Sequence, residues 1–515
     1  MDALVILIPL LPLLAAFVIG LGHLAGFLQG ESKESLTADV AVGAIALSFF
    51  MAMTLLSADL LSKNIGYFSV GQWLSCDSLT IRLNFITTGL NVRLAALFSL
   101  LLAIVSRFAI NYLHREAGFY RFYFVFCLFS AAMMLLVLSG NAVGTFAGWE
   151  VAGLCSYFLI AYSYQRPAAT YNATRVFLTN RVGDAGFIIG IGLSYAWLDT
   201  VNWTSILASA SQLTIGEATG LSLCFALPAF AKSAQLPFTP WLARAMEGPT
   251  PSSAAFYGAV MIHSGVFLVC LLEPLFTQSP LARAVLGLVG LLTVVYSTVV
   301  GRTQSDIKSS LIFATSAQIG LMFLECGLGF WQLASWHLCA HAIVRCWLIL
   351  TAPSLLLYHF KKPSESKIPI WLYMASVQHF WLDQVVDWAL VKPIRGLAHD
   401  LSYFDDHVID HLMGVPAPAL GTLSSLAQLE EESIGAKLHN NADKFAQGSG
   451  LAGKLTEWTA TLMHWFEDRF VLRGIGKDAI HVGRQLGHAA NQFEQIILRP
   501  RYLVLFVCIT FLVAF

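Results

Sequence analysis

Charge is scarce in this sequence. Of its 515 residues, 12% are charged and 57% are hydrophobic, where an ordinary soluble protein has about a quarter charged. That excludes a soluble enzyme and a disordered scaffold. Basic clusters are missing as well: 30 Lys and Arg stand against 31 Asp and Glu. Without such clusters there is no electrostatic footprint for a phosphate backbone, and no nucleic acid partner is expected. No CxxC occurs, and the cysteines stand singly at Cys76, Cys127, Cys155, Cys224, Cys270, Cys326, Cys339, Cys346 and Cys508. This argues against an iron–sulfur cluster or a structural zinc site and suits small apolar filling. No flavin, nicotinamide or quinone fingerprint is present, so no cofactor is expected and redox chemistry is left to partners. The first residues lack the basic flank and small-residue cleavage site of a signal peptide. The run from Leu4 to Leu28 is therefore read as a first membrane span.

What the sequence has in abundance is long apolar runs, and its mean hydropathy is +0.68. The runs are continuous and not alternating, which gives helices and excludes a β-barrel. Spans are expected near 3–28, 38–61, 82–107, 120–139, 143–163, 174–198, 218–245, 252–274, 281–300, 309–329, 331–358 and 501–515. The expected fold is an all-α polytopic membrane protein of about 12 transmembrane helices, with a broken seventh helix and an amphipathic C-terminal arm. Four segments follow: N-terminal helices at 1–80, a channel core at 81–358, an arm at 359–499 and a terminal span at 500–515. The stretch 368–391 is ambiguous, because its apolar part is short and ends in Asp383 and Asp387. Within the arm, Leu455, Trp458, Leu462, Trp465 and Phe466 fall on one helical face, as in a helix lying on a membrane surface or on a partner.

The loops suggest an orientation. Those after odd-numbered spans carry Lys33, Arg115, Arg121, Arg166, Arg302, Lys361, Lys362 and Lys367, whereas the even ones hold little beyond Lys63 and Arg283. The odd loops should therefore face the cytoplasm, with the amino terminus outside.

Some of the scarce charges fall where a membrane should be. Ionisable residues there cost about 2.5–3.5 kcal/mol each and are functional by default. Glu150 falls in the fifth span, Arg181 and Asp184 in the sixth, Lys232 in the seventh, and His337, His341 and Arg345 in the eleventh. A lysine in low dielectric holds its proton less firmly, and a nearby carboxylate restores the hold. Moving that carboxylate would switch the lysine between keeping and releasing a proton. His337 and His341 are one turn apart and suit a relay through intervening water. Pro237 and Pro240 cannot continue a helix, so the backbone should open just after Lys232, as it does where a helix lines a wet cavity. The bland readings are a static Glu150–Lys232 pair, a structural Arg181–Asp184 lock, and interfacial positions for Asp306 and Lys308. A metal on the two histidines lacks HExxH and a third ligand, so no metal is expected.

These residues lie in GWEVAGLCSYFLIAYSY, TRVFLTNRVGDAGF, AKSAQLPFTPWLARAMEGPTPSSA, TQSDIKSSLIFATSAQIGLMFL and HLCAHAIVRCWL. In that order they resemble the core of the NuoL/MrpA-type subunits, the antiporter-like proton-pumping subunits of respiratory complex I and its relatives. KSAQLPFTPWLARAMEGPTP is the most specific run. The resemblance covers roughly 80–350, with a weaker match at FWLDQVVDWALVKPIRGLA and the terminal span. It implies that Glu150 and Lys232 form the central proton-handling pair. It also implies that His337 and His341 continue the path, and that Arg181, Asp184, Asp306, Lys308 and Arg345 are supporting charges. Three departures stand out. Tyr257 occupies the place of an expected histidine, with His263 about two turns later; a phenol with an ordinary pKa of about 10 orders water but relays poorly. Arg345 stands where lysine is expected and is a fixed charge. The segment that bears a second key lysine or glutamate after the eleventh span has no counterpart.

The sequence thus predicts a proton-translocating subunit of a multisubunit complex in a bacterial inner membrane. The path would run through Glu150, Lys232, Tyr257, His263, His337 and His341. The partners implied are lipid, protons and other membrane subunits of a complex I-like or Dab-like assembly. At most the chain is the non-redox pumping subunit of an NADH:quinone oxidoreductase-like translocase. The alternatives are a DabB-like subunit for energised inorganic-carbon uptake and a structural subunit that no longer conducts.

Overall fold

The computed structural model describes residues 2–63, 66–76, 79–304, 307–352 and 369–404. Up to Val386 they form one compact unit. Its helices are α1 (Leu7–Leu24), α2 (Glu34–Leu60), α3 (Gly89–Tyr112), α4 (Phe119–Leu138), α5 (Ala142–Ile160), α6 (Pro167–Leu198), α7 (Ile215–Lys232), α8 (Thr250–Leu271), α9 (Pro280–Thr303), α10 (Ile307–Leu328) and α11 (Trp331–Thr351). Among the described residues ten helices, α1–α6 and α8–α11, are long and apolar enough to cross a membrane. The helix α7 is long enough at 18 residues but is not apolar enough, since it carries Glu217 and Lys232. The expected span at 501–515 and the amphipathic pattern at 455–466 lie outside the described residues.

The span expected from residue 82 starts later, at Gly89. Residues Leu79–Ile86 are instead a strand, β2, paired antiparallel with β1 (Tyr67–Cys76). Ile81, Leu83 and Phe85 alternate with polar neighbours, which is the strand period. Phe85 is buried, and the Asn84 carbonyl accepts from Gly140 N at 2.8 Å. Asn84 Nδ2 donates to Asn202 Oδ1 at 2.9 Å, and Asn141 Nδ2 donates to Arg82 O at 2.8 Å. These bonds fasten the hairpin to the turns before α5 and after α6.

The centre is α4, where every residue from Phe122 to Leu138 is buried. A helix apolar on all sides is enclosed by others. The outer helices carry exposed Leu47, Phe50, Leu292, Val295, Ile343 and Trp347, a face suited to lipid. Helices α9 and α10 approach closely at glycines: a Cβ on Gly290 would meet the Gly320 carbonyl oxygen at 2.5 Å. Small residues allow that contact between membrane helices. The helix α8 is not uniform. It opens into a π-helical turn at Ala254–Ala259 and a 3-10 turn at Met261–His263 before continuing from Ser264.

The ambiguous stretch does not form one long helix. It holds α12 (Ile370–Val377), a 3-10 turn at His379–Trp381 with left-handed backbone, and a five-residue helix, Leu382–Val386. At about 1.5 Å per residue, eight residues reach only about 12 Å, too short to span. The stretch packs on α9, where Tyr296 OH donates to His379 O at 3.2 Å and Ser376 Oγ donates to Val299 O at 3.1 Å. Asp387 begins the second unit, in which a π-helical turn, Asp387–Val391, leads into α13 (Lys392–Phe404). Ile394, Leu397, Leu401 and Phe404 recur at helical spacing along α13, which makes it amphipathic.

Candidate functional site

Lys232 is the last residue of α7, and Ala234 just beyond it has φ +50°. The chain crosses Pro237 before a short helix, Pro240–Arg244, resumes with Pro240 at its first turn. The helix thus ends ahead of both prolines, and Pro240 starts the next one, where its fixed φ is favourable. The carbonyls freed at the break find partners. Trp241 Nε1 donates to Ala231 O at 2.8 Å, and Ser316 Oγ donates to Ala234 O at 3.2 Å. A cation at a helix carboxyl end is favoured by the unpaired carbonyls there, which is a local reason for Lys232 to be tolerated while only 1% exposed.

The expected Glu150–Lys232 pair takes a different form. Arg181 bonds Glu150 directly, and its second nitrogen lies 2.8 Å from Asp184 Oδ2. One guanidinium thereby bridges two carboxylates, which a planar fork does better than an ammonium. Trp149 Nε1 donates to Asp184 Oδ1 at 2.8 Å. Lys232 makes no ion pair among the described residues. Its Nζ donates to Trp149 O at 3.3 Å and lies 5.2 Å from the Trp149 ring centre. Gly153 makes room here, since a Cβ would sit 3.0 Å from Lys232 Nζ and 3.2 Å from Arg181 Nη2. Beside them Gly153, Ser156, Asn180, Arg181, Lys232 and Met261 line a small cavity of about 10 Å³. That is close to the space one water needs.

Tyr257 lies in the π-helical turn of α8, and its hydroxyl is 2.8 Å from Ser156 Oγ on α5. Beyond it, His263 Nε2 is 2.9 Å from His341 Nδ1, and Arg345 Nε donates to His341 Nε2 at 3.1 Å. Arginine can only donate. His341 Nε2 therefore accepts, its Nδ1 carries the hydrogen, and that hydrogen points to His263 Nε2. The row runs in one direction, Arg345 to His341 to His263. His337 does not bond His341; their ring centres are 6.1 Å apart and nearly perpendicular. His337 is held by α10 instead, with Nδ1 3.0 Å from Glu325 Oε1 and Nε2 3.1 Å from Gln318 Oε1.

Lys308 Nζ donates to Thr250 Oγ1 at 2.9 Å, at the start of α8. Asp306 lies outside the described residues. No group of three or more His, Cys, Asp or Glu that could hold a metal occurs among the described residues. Sequence reasoning missed Trp149, Ser156 and Glu325, and saw in Asp383 only the end of an apolar run. Asp383 is a junction: Arg175 and Arg244 each reach it at 3.1 Å, and His379 Nδ1 lies 3.1 Å from its Oδ2. The signal available was a carboxylate interrupting apolar sequence.

Comparison with known proteins bears on this geometry. Residues 139–367 match the family described as NADH:quinone oxidoreductase/Mrp antiporter, TM. A chloroplast NAD(P)H-quinone oxidoreductase subunit 5 from Zygnema circumcarinatum is 34% identical over 356 residues, 68% of this chain and 51% of its own. An NADH-quinone oxidoreductase subunit L from Rhodobacter capsulatus is 40% identical over 256 residues, 48% of this chain and 36% of its own. In the solved Mrp complex from Dietzia sp. DQ12-45-1b, one chain superimposes with a TM-score of 0.59 at 26% identity, over 67% of this chain and 37% of that one. A chain of the membrane-bound sulfane sulfur reductase, an archaeal respiratory membrane complex, shares the fold at 18% identity, with a TM-score of 0.58 over 67% and 70% of the two chains. The chain spans about half the length of the curated relatives it matches. Residues 139–367, which hold the broken seventh helix and the charges gathered around it, form a domain of the NADH:quinone oxidoreductase/Mrp antiporter family.

Proposed function

We propose that this chain moves protons across a membrane as one subunit of a multisubunit complex, without redox chemistry of its own. The observation that carries this reading is Lys232: fully buried, at the end of a broken membrane helix, without a carboxylate partner in contact, beside a cavity near the size of one water. Arg181 is the group that holds Glu150 and Asp184. A shift of Arg181 between the two carboxylates changes the field at Lys232, and with it the hold on its proton. Tyr257, His263 and His341 continue from the cavity toward α11, and Arg345 sets the direction of the hydrogen bond between the two histidines. The relatives' names place them in quinone oxidoreductases and a Mrp complex, so the partners of this chain are further membrane subunits and subunits that carry the redox centres. The drive available to such a path is about 2.3 kcal/mol per charge per 100 mV. The charge bias of the loops supports an amino terminus on the outer side of the membrane; the membrane proposed is a bacterial inner one.

The test is isolation of the tagged chain from its native membrane with whatever stays bound. Redox-bearing subunits should co-purify, and the assembly in sealed vesicles should acidify the lumen while oxidising its electron donor, with collapse of the gradient on adding an uncoupler. Turnover of the partners with no pH change would count against the reading.

A further inference from the structure

The α10–α11 hairpin carries an acid that the path above leaves unused. Glu325 lies three residues before the end of α10 at Leu328, and α11 starts at Trp331. Its Oε1 is 3.0 Å from His337 Nδ1, and on the other side of the ring Gln318 Oε1 is 3.1 Å from Nε2. Both ring nitrogens therefore face acceptors from α10. The other carboxylate oxygen, Oε2, is buried and has no hydrogen-bond partner among the described residues. A static ion pair built to lock two helices would pair both oxygens.

Burial adds a direction. His263 is 0% exposed and His341 6%, whereas the side chains of His337 and Glu325 are 22% and 19% exposed. The titratable groups thus run from a sealed centre to a half-open end at the α10–α11 turn. Gln318 and Glu325 of α10 and His341 of α11 face His337. Arg345 and His263 stand behind His341.

We propose that Glu325 and His337 form the terminal pair at which the path exchanges its proton with the water outside the α10–α11 turn. This rests on the proton-translocating reading. Gln318 Oε1 keeps a hydrogen on Nε2, which leaves the Nδ1 hydrogen as the one to be shared. Its transfer breaks the Nδ1–H bond and forms an O–H bond on Glu325, turning imidazolium and carboxylate into two neutral groups. The acid then gives its proton to water and returns as carboxylate, and the neutral imidazole takes up the next proton arriving from the His341 side. The 6.1 Å between the His337 and His341 ring centres is a gap a bridging water spans.

Three variants of the assembly in sealed vesicles test this, with assembled amount and partner turnover measured on the same preparations. Glu325→Gln is expected to lower the share of proton translocation that this subunit carries about tenfold or more, and Glu325→Asp, which keeps a carboxyl, to recover most of it. Lys232→Met separates the two claims. If Lys232→Met loses this subunit's share of translocation and Glu325→Gln pumps at the wild-type rate, the Glu325 assignment fails and the proton-translocating reading stands. If both pump normally, both fail. Should Glu325→Gln not assemble, the wild-type complex decides. Dicyclohexylcarbodiimide reacts with protonated carboxyls in apolar surroundings, and peptide mass spectrometry locates the adduct. An adduct on Glu325 that grows as transport falls supports the pair. Blocked transport with Glu325 unmodified overturns it.

Discussion

Arg175 and Asp383 are 208 residues apart in sequence and 3.1 Å apart in the fold. Arg175 belongs to α6, which also carries Arg181, and the other carboxylate oxygen of Asp383 takes Arg244, at the end of the short helix beyond the α7 break. One aspartate thereby ties the flank of the charged site, the far side of the break and the segment after residue 369. The burial of Arg175 and Asp383, at 4% and 10% side-chain exposure, makes the pair costly to halve.

Asp383→Asn is therefore expected to lower stability by about 3–5 kcal/mol at neutral pH, the cost of removing one partner from a buried pair. Burial alone pushes the Asp383 carboxyl up, but the His379 hydrogen bond and the charges of Arg244 and Arg175 outweigh it and hold the group below its usual range. A carboxyl depressed in the fold contributes stability above its unfolded value of about 3.9 and loses it as pH falls through the folded value. Thermal unfolding of the detergent-solubilised protein should show a gap between wild type and Asp383→Asn at neutral pH that narrows as the pH falls below the unfolded value and through the lower folded one. An unchanged gap at acid pH would contradict the assignment.

Arg181 serves two carboxylates, so its replacement should be graded. Arg181→Lys keeps the charge but loses the fork, and Arg181→Ala strands Glu150 and Asp184 together. Thermal stability and transport should both fall in the order wild type, Lys, Ala. Adding Glu150→Gln to Arg181→Ala should restore part of the stability, with a coupling energy of about 0.5–3 kcal/mol. Additive losses in that cycle would show that the two residues do not act as a pair.

Much of this fold was legible because its period is simple. Runs of about 20 apolar residues are membrane helices, and the expected spans from α4 to α6 and from α9 to α11 fall where such runs predict. The hairpin was hidden because Leu83, Phe85 and Ile86 read on into the apolar run of α3, although Ile81, Leu83 and Phe85 already alternate. Single residues such as Glu150, Lys232 and His341 stood out because charge is costly in lipid. Their partners did not, because pairing is long-range. No local pattern announces that Trp149 bonds Asp184, that His263 meets His341 across two helices, or that Asp383 meets Arg175.

Gly153 gives a steric test of the site. A methyl group there would press on the ends of Lys232 and Arg181, and both are flexible side chains that can yield. Gly153→Ala should leave thermal stability within about 1 kcal/mol while slowing transport several-fold. Equal transport by the two forms would mean that the position of Lys232 Nζ is not critical.

Packing of α9 against α10 gives a structural test away from the charges. The Gly290 Cα faces the Gly320 carbonyl, and a side chain there meets backbone, which cannot move aside as a long side chain can. Gly290→Leu should destabilise by about 1–3 kcal/mol or more through overpacking, visible as a lower unfolding temperature in detergent. Stability equal to wild type would show that the two helices separate at little cost.

The central claim is that the buried Lys232 carries the proton. Lys232→Met keeps an unbranched side chain, one atom shorter, and removes the ammonium. In sealed vesicles holding the complete assembly, lumenal acidification per electron donor oxidised should fall by the protons this subunit moves, with assembly and donor oxidation otherwise preserved. An unchanged ratio of protons to donor in Lys232→Met would contradict the account.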